Sequence, residues 1–278
     1  MSESLADPPA RVVVIPARYA SSRLPGKVLA DIGGRPMIAL VCELALAGRV
    51  DAVIVAGDDE RILEAARAEG AQAILTSSEH RSGSERIAEA ISLLGLDPDV
   101  VVVNIQADEP LLPPTLIDQV AGLLVDRPEF AMATLCEPIE KARELFDPAV
   151  VKVVFDAQGR ALYFSRAPIP WQREAWSSMA SLRPAADEDE DTLDRLPATA
   201  GVRHYRHIGL YAARAGFFTR FAALEASPAE RIESLEQLRA MHHGHAIRVA
   251  IAISPSGPGV DTQADLERAR ALFAQARA

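Results

Sequence analysis

Apolar residues in the first 110 positions come in two alternating styles. Short continuous runs rich in valine and isoleucine, "RVVVIPA" at 11–17, "DAVIVAG" at 51–57 and "DVVVVNIQ" at 99–106, predict strands buried on both faces. Between them lie "PMIALVCELALAG", "DDERILEAARAEG" and "SGSERIAEAISLLG", which predict helices, the first two stopped by Gly48 and Gly70. Ser82 and Glu85 have the spacing of a capping box at the start of the third. Strand and helix in strict alternation predict an α/β fold, a doubly wound and mostly parallel sheet.

The second half reads differently. "AMATLC", "VKVVFDA", "ALYFSR", "HIGLYAA" and "AIRVAIAI" predict strands without a helix between every pair, so a mixed sheet is expected there, as an inserted subdomain. "PAERIESLEQLRAMHHG" predicts one continuous helix with an apolar stripe of Ile232, Leu235 and Leu238. "TQADLERARALFAQARA" predicts a last helix, with Thr262 as its cap. We expect residues 1–10 to be a disordered tail and 11–278 a single domain with two halves, 11–125 and 126–278. Residues 176–200, acidic and rich in Pro and Ala, are expected to form a loop.

Composition narrows the classes. No apolar run approaches the ~20 residues of a membrane span, and the first ten residues lack the basic and apolar regions of a secretory signal. Cys42 and Cys136 have no partner at metal or redox spacing and read as buried apolar residues, which fits a reducing cytoplasm. The formal net charge is −10, which argues against nucleic acid as a partner. Against that background Arg11, Arg18, Arg23, Lys27 and Arg35 face only Asp31 between positions 11 and 35, while "DEDEDTLD" at 187–194 is strongly acidic. A local cationic patch on an acidic chain suits a small anionic ligand.

The patch sits where ligands bind in open α/β sheets, beyond the carboxyl end of a strand. "RYASSRLPGKV" is neither a P-loop nor a dinucleotide fingerprint: Ser21 and Val28 stand where a P-loop needs Gly and Ser or Thr, and the loop has no glycine before Gly26. It offers small residues at 20–22 and cations at 18, 23 and 27, a set able to wrap phosphate oxygens or to form a plain solvated loop. Lys27 is one of three lysines among 29 Lys and Arg residues, which points to a compact mobile cation at that place. "VVVNIQADEP" delivers Gln106 and Asp108 to the same sheet edge, and "SGPGVDTQAD" places Asp261 after a tight turn. Each aspartate is either a turn or cap residue or a ligand for a hard cation such as Mg²⁺.

Taken together, "VVIPARYASSRLPGKVL", "TSSEHRSGSERIAEA", "VVNIQADEPLLPP", "VVKVVFDAQGRALYFSRAPIPW", "YRHIGLYAARAGF", "IESLEQLR" and "GPGVDTQADLERAR" resemble, in order, the CMP-Kdo synthetase (3-deoxy-manno-octulosonate cytidylyltransferase) family over about 11–275. The resemblance implies a nucleotidyltransferase-like fold, with 11–125 as the nucleotide-binding half and 126–278 as the sugar-binding and dimerisation half, and a cytoplasmic, Mg²⁺-dependent homodimer with no membrane partner. Such an enzyme makes CMP-Kdo and pyrophosphate from CTP and Kdo for lipopolysaccharide assembly. Other 2-keto sugar acids, such as a sialic acid or an amino analogue of Kdo, are the neighbouring substrates, and a non-catalytic nucleotide-binding module is the rival outside enzymes.

The same resemblance implies residue roles. Arg18, Ser21, Arg23 and Lys27 are similar to the triphosphate loop; Ser82, Gly83 and Ser84, with Arg81 and Arg86, to the cytosine-side loop. Gln106 resembles a residue at the substrate junction, and Asp108 and Asp261 resemble the Mg²⁺ carboxylates. Arg166, His207, Tyr211, Glu236 and Gln237 resemble the sugar pocket. From pattern alone Arg166 is a surface arginine and His207 a core histidine. On a helical projection Gln237 points away from the apolar stripe and Glu236 lies near its border, so both read as solvated. Ala107 stands where the family has glycine, Arg81 where it often has glutamine, and the acidic segment is longer than the family's. "HHGH" at 242–245 looks metal-like but suits a surface helix terminus.

Overall fold

The computed structural model describes residues 10–20, 24–125, 127–173, 176 and 203–277. Ser21, Arg23, nearly all of the expected 176–200 loop and the tail at 1–9 lie outside the described residues. The chain begins with strand β1 (Arg11–Ala17), a single 3₁₀ turn (Lys27–Leu29) and a small hairpin of β2 (Asp31–Ile32) and β3 (Arg35–Pro36). There follow α1 (Met37–Leu46), β4 (Ala52–Gly57), α2 (Glu60–Ala68), β5 (Gln72–Leu75), α3 (Gly83–Leu94), β6 (Val101–Asn104) and α4 (Pro114–Gly122). The chain continues as β7 (Met132–Pro138), α5 (Ala142–Phe146), β8 (Lys152–Phe155), β9 (Ala161–Ser165), β10 (Tyr205–Arg214) and α6 (Ala215–Ala223). It ends with α7 (Pro228–Glu233), α8 (Gln237–His242), β11 (Ile247–Ile251) and α9 (Gln263–Arg277).

Two compact units share these elements. The first is Met1–Ala133, Gly209–Leu224 and Ala252–Ala278. Its strands lie in the order β5, β4, β1, β6, all parallel, with the last residues of β10 antiparallel on β6. The continuous apolar runs are what such a sheet needs: Val13, Val14, Ile15, Val102 and Val103 are wholly buried. Each parallel connection passes through a helix, and local chemistry starts each one. The Asp59 carboxylate accepts from Arg61 N to cap α2, and the Ser82 hydroxyl accepts from Glu85 N to cap α3. Only half of the expected capping box forms, because the Glu85 carboxylate takes Arg81 N at 2.9 Å. The sequence pattern missed β5, whose four residues are all at least partly exposed.

The second unit is Thr134–Ile208 and Glu225–Ile251. Here β11, β7 and β10 lie side by side, β10 pairs antiparallel with β8 at Arg206 and Lys152, and β8 pairs antiparallel with β9. These two registers are antiparallel, in contrast to the parallel pairs of the first unit. The single helix expected at 228–244 is two: Ser234 takes a left-handed backbone, φ 53°, and ends α7. The change of direction breaks the predicted stripe, leaving Ile232 84% exposed while Leu235 and Leu238 are buried. Among the described residues no helix is long and apolar enough to cross a membrane.

Candidate active site

All the chemistry of the first unit gathers at the carboxyl ends of β1 and β6. A cleft of about 250 Å³ opens there, lined by the start of the β1 loop, the entry to α3, the segment after β6, and Asp261. Arg18, Lys27, Arg81, Ser82, Gly83, Arg86, Gln106, Asp108 and Asp261 all contribute to its wall.

Lys27 is the centre. The turn that carries it is fixed by Gly26 N donating to Tyr19 O at 3.2 Å and Lys27 N to Leu24 O at 3.1 Å. Its ammonium donates to Asp108 Oδ2 at 2.5 Å, Asp261 Oδ1 at 2.9 Å and Val260 O at 3.1 Å. Burial by itself lowers the pKa of this amine, but the adjacent charges and hydrogen bonds of Asp108 and Asp261 prevail and raise it. Lys27 is therefore a protonated cation held between two carboxylates.

Two aspartates far apart in the sequence meet because their segments dock. Val260 N donates to Asp108 O at 2.8 Å. Gly257, at φ 77°, lies so close to the backbone of Leu111 that a Cβ would stand 2.9 Å from its carbonyl oxygen; a Cβ on Gly259 would meet Glu109 at 2.8 Å. Ile32, Met37, Leu40, Val260 and Leu266 pack into one cluster beneath, which seats the segment. The glycines thus serve close approach as well as the turn.

The opposite wall is cationic. Arg18 is exposed and, among the described residues, forms no ion pair. The start of α3 presents Ser82 and Gly83, where a helix dipole favours an anion. Arg81 is 87% exposed on its side chain and pairs with Glu85 at 2.9 Å. Arg86 reaches the wall too but is nearly sealed: it pairs with Asp58 at 2.9 Å and donates to Thr76 Oγ1 at 2.5 Å. Asp58 also accepts Tyr19 N at 2.8 Å, so Arg86 braces the loop that carries Arg18. Arg61 covers the Tyr19 ring at 4.0 Å. Ser84 is buried and does not line the cleft, and Ala107, also buried, does. His80, which the sequence reading passed over, lines the cleft and is held by Glu89 at 2.5 Å. Its only signal was its place in the "SSEHRSGS" block.

The remaining candidates divide between the two units. Tyr211, in the first, lies beside Asn104 in the β10–β6 register, and Asn104 accepts from Gln106 Nε2 at 3.4 Å. In the second unit, Arg166 donates from Nε to Glu233 O at 2.7 Å and from Nη1 to Pro148 O at 2.8 Å. His207 Nε2 lies 2.9 Å from Thr134 Oγ1, whose proton goes to Ile208 O, and burial pushes the ring down to about 3, so it is neutral. Gln237 is 6% exposed, not solvated as the projection suggested, because α8 starts a new direction after Ser234. Glu236 is its N-cap residue, 39% exposed on its side chain. In the "HHGH" run, His243 Nε2 bonds Glu225 O at 3.0 Å.

Comparison with known proteins places this geometry. A family model described as "Cytidylyltransferase" matches residues 12–247. A 3-deoxy-manno-octulosonate cytidylyltransferase of Marinobacter nauticus is 54% identical over 94% of this chain and 96% of its own length. One of Idiomarina loihiensis is 52% identical over 94% and 97%. Among solved structures, a CMP:2-keto-3-deoxy-manno-octonic acid synthetase complexed with CTP superposes with a TM-score of 0.82 at 41% identity, covering 96% of this chain and 99% of that one. A cytidylyltransferase from Leptospira borgpetersenii, 14% identical with a TM-score of 0.60, shares the fold.

Proposed function

The chain belongs to the cytidylyltransferase family, and from that premise we propose that it transfers the cytidylyl group of CTP to the anomeric hydroxyl of Kdo and releases pyrophosphate. The product is CMP-Kdo, an activated sugar for lipopolysaccharide assembly. The observation that carries the reading is the meeting of Asp108 and Asp261 on one ammonium, Lys27, across from the cationic wall of Arg18 and the start of α3.

The chemistry joins the sugar oxygen to the α-phosphorus and breaks the bond from that phosphorus to the bridging oxygen of pyrophosphate. Two needs follow. The oxygen and phosphorus must be held in line, and charge on the departing phosphates must be neutralised. Arg18 and Lys27 take the β- and γ-phosphates, with Ser21 and Arg23 completing the loop. The N–H groups at Ser82 and Gly83 add a fixed positive end. Arg81 and Gln106 belong to the nucleotide side of this reading, whereas Ser84, buried and outside the cleft lining, drops out of it. Arg86 belongs there as a brace acting through Asp58. Arg166, His207, Tyr211, Glu236 and Gln237, with Gln106, hold the sugar acid. A neutral His207 suits hydrogen bonding to sugar hydroxyls.

The donor set fits Mg²⁺. Two carboxylates already converge on one cation, and hard oxygens with substrate phosphates to complete the shell are what this ion takes. Among the described residues no cluster of three or more His, Cys, Asp or Glu offers an alternative. Asp108 and Asp261 would hold it, and when bound it supplies charge neutralisation and acidifies the sugar hydroxyl. The proposal extends to a homodimer in the cytoplasm. Cys42 and Cys136, buried free thiols raised by burial to about 12, support a reducing location.

Mg²⁺-dependent pyrophosphate release from CTP, with Kdo, its amino analogue and a sialic acid as acceptors, tests the reading. Kdo is expected to be the best acceptor. A preference for another acid would reassign the substrate, and CTP binding with no turnover on any sugar would make the chain a binding module.

A further inference from the structure

Lys152 is a fully buried lysine at the start of β8 and has no part in the chemistry above. Its Nζ donates to Asp147 O at 2.9 Å and Val150 O at 2.5 Å. Among the described residues no carboxylate oxygen is bonded to it. Burial lowers its pKa, because an ammonium sealed from water loses its hydration. A methionine would fill the same space without that cost, so the charge or its donors must serve something.

The carbonyls of the 147–151 turn show what is served. Those of Asp147 and Val150 accept Lys152 Nζ, that of Pro148 accepts Arg166 Nη1, and that of Val151 accepts His207 N at 2.8 Å. In the sheet Lys152 lies opposite Ser165 on one side and Arg206 on the other, the residues just before Arg166 and His207. One ammonium therefore pins the turn from which both residues hang. The other side of Arg166 is set by Glu233, whose carboxylate accepts Ser165 Oγ at 2.6 Å and Arg166 N at 2.9 Å.

We propose that Lys152 is a positioning residue for the sugar acid: its buried ammonium orders the Asp147–Val151 turn and thereby orients the Arg166 guanidinium and the His207 backbone. The inference rests on the reading of Arg166 and His207 as sugar-binding residues. Lys152 is sealed from solvent and bonded to backbone carbonyls, so its effect passes through its neighbours.

The test is steady-state pyrophosphate release by the full chain with CTP, Mg²⁺ and Kdo. Lys152→Met is expected to raise KM for Kdo roughly tenfold, the value of a charge-assisted hydrogen bond, with KM for CTP unchanged. Lys152→Arg, which restores donors, should recover part of the loss. Arg166→Ala raises KM for Kdo as well, and the double variant is little worse than Arg166→Ala alone. A folded Lys152→Met enzyme with wild-type KM for Kdo, equal rises in both KM values, or additivity with Arg166→Ala overturns the positioning role. Arg166→Ala with normal KM for Kdo instead overturns the sugar-pocket reading itself. If Lys152→Met does not fold, Pro148→Gly on the exposed side of the turn asks the same question: it should show the same split, and unchanged kinetics would count against the proposal.

Discussion

Thr262 and Asp265 cap α9 reciprocally: Thr262 Oγ1 accepts from Asp265 N at 3.2 Å, and the Asp265 carboxylate accepts from Thr262 N at 3.0 Å. The capping task that a turn aspartate at 261 would otherwise serve is thus already filled, and the Asp261 carboxylate turns to Lys27 instead. Capping and the pairing with Lys27 thus fall on different residues of "GVDTQAD".

The two roles separate experimentally. Thr262→Ala should lower stability by about 1 kcal/mol, the usual worth of a cap, with turnover nearly unchanged. Asp261→Asn and Asp108→Asn should melt close to wild type and lose turnover by orders of magnitude. The pair should be little worse than either alone, since both carboxylates serve one cation. Thermal melts and Mg²⁺-dependent pyrophosphate release on the four variants check this. An Asp261→Asn enzyme with normal turnover at low Mg²⁺ would return that residue to the turn.

Lys27 neutralises the carboxylates to which a divalent cation would bind, so the two cations compete in the protein without nucleotide. Lys27→Met should therefore bind Mn²⁺ more tightly than wild type when CTP is absent, read by electron paramagnetic resonance. The same variant should show a higher KM for CTP and a lower turnover, because the triphosphate loses a cation. Weaker Mn²⁺ binding by the variant would show that Lys27 supports the carboxylates and does not stand in the metal's place.

The Arg86–Asp58 pair is nearly sealed, with 4% and 9% of the side chains exposed. Removing one partner strands the other: Asp58→Ala should cost about 3 kcal/mol of stability. It also frees Tyr19 N from its acceptor and loosens the loop of Arg18 and Lys27, so KM for CTP should rise. Denaturant melts and CTP kinetics read the two effects, and a variant of normal stability would show that water replaces the pair.

His207 gives a pH prediction. Burial holds its folded pKa at about 3, below the unfolded value near 6.5, so between these limits the unfolded chain binds more protons. Its contribution to stability is complete above about 6.5 and is lost as pH falls toward 3. The Tm of His207→Gln should thus fall less steeply than wild type from pH 6.5 to 4, whatever its value at pH 7. Parallel curves would mean that His207 titrates normally in the folded protein.

Strands β1, β4 and β6 and helices α1, α2 and α3 were legible because their signals are local, whereas the β2–β3 hairpin, β5 and α4 were not. A continuous β-branched run such as Val12–Ile15 declares a strand buried on both faces, and Asp59 and Ser82 start α2 and α3 with their own side chains. The cationic loop, Asp108 and Asp261 were likewise marked as candidates by charge and position. Tertiary structure decided which of these meet. Lys27, Asp108 and Asp261 become one site only because the Gly257–Gly259 segment docks on residues 108–111, a contact that no spacing encodes. Arg86 became a brace because Asp58 and Thr76 stand beside it in space. Gln237 became buried because the chain bends at Ser234, a residue with no glycine or proline signal. Lys152 read as one more strand position, and its meaning lies in four carbonyls of a turn and the two residues that share them. Periodicity and caps act through neighbours a few residues apart, whereas the charge of a buried group is set by whatever the fold places against it.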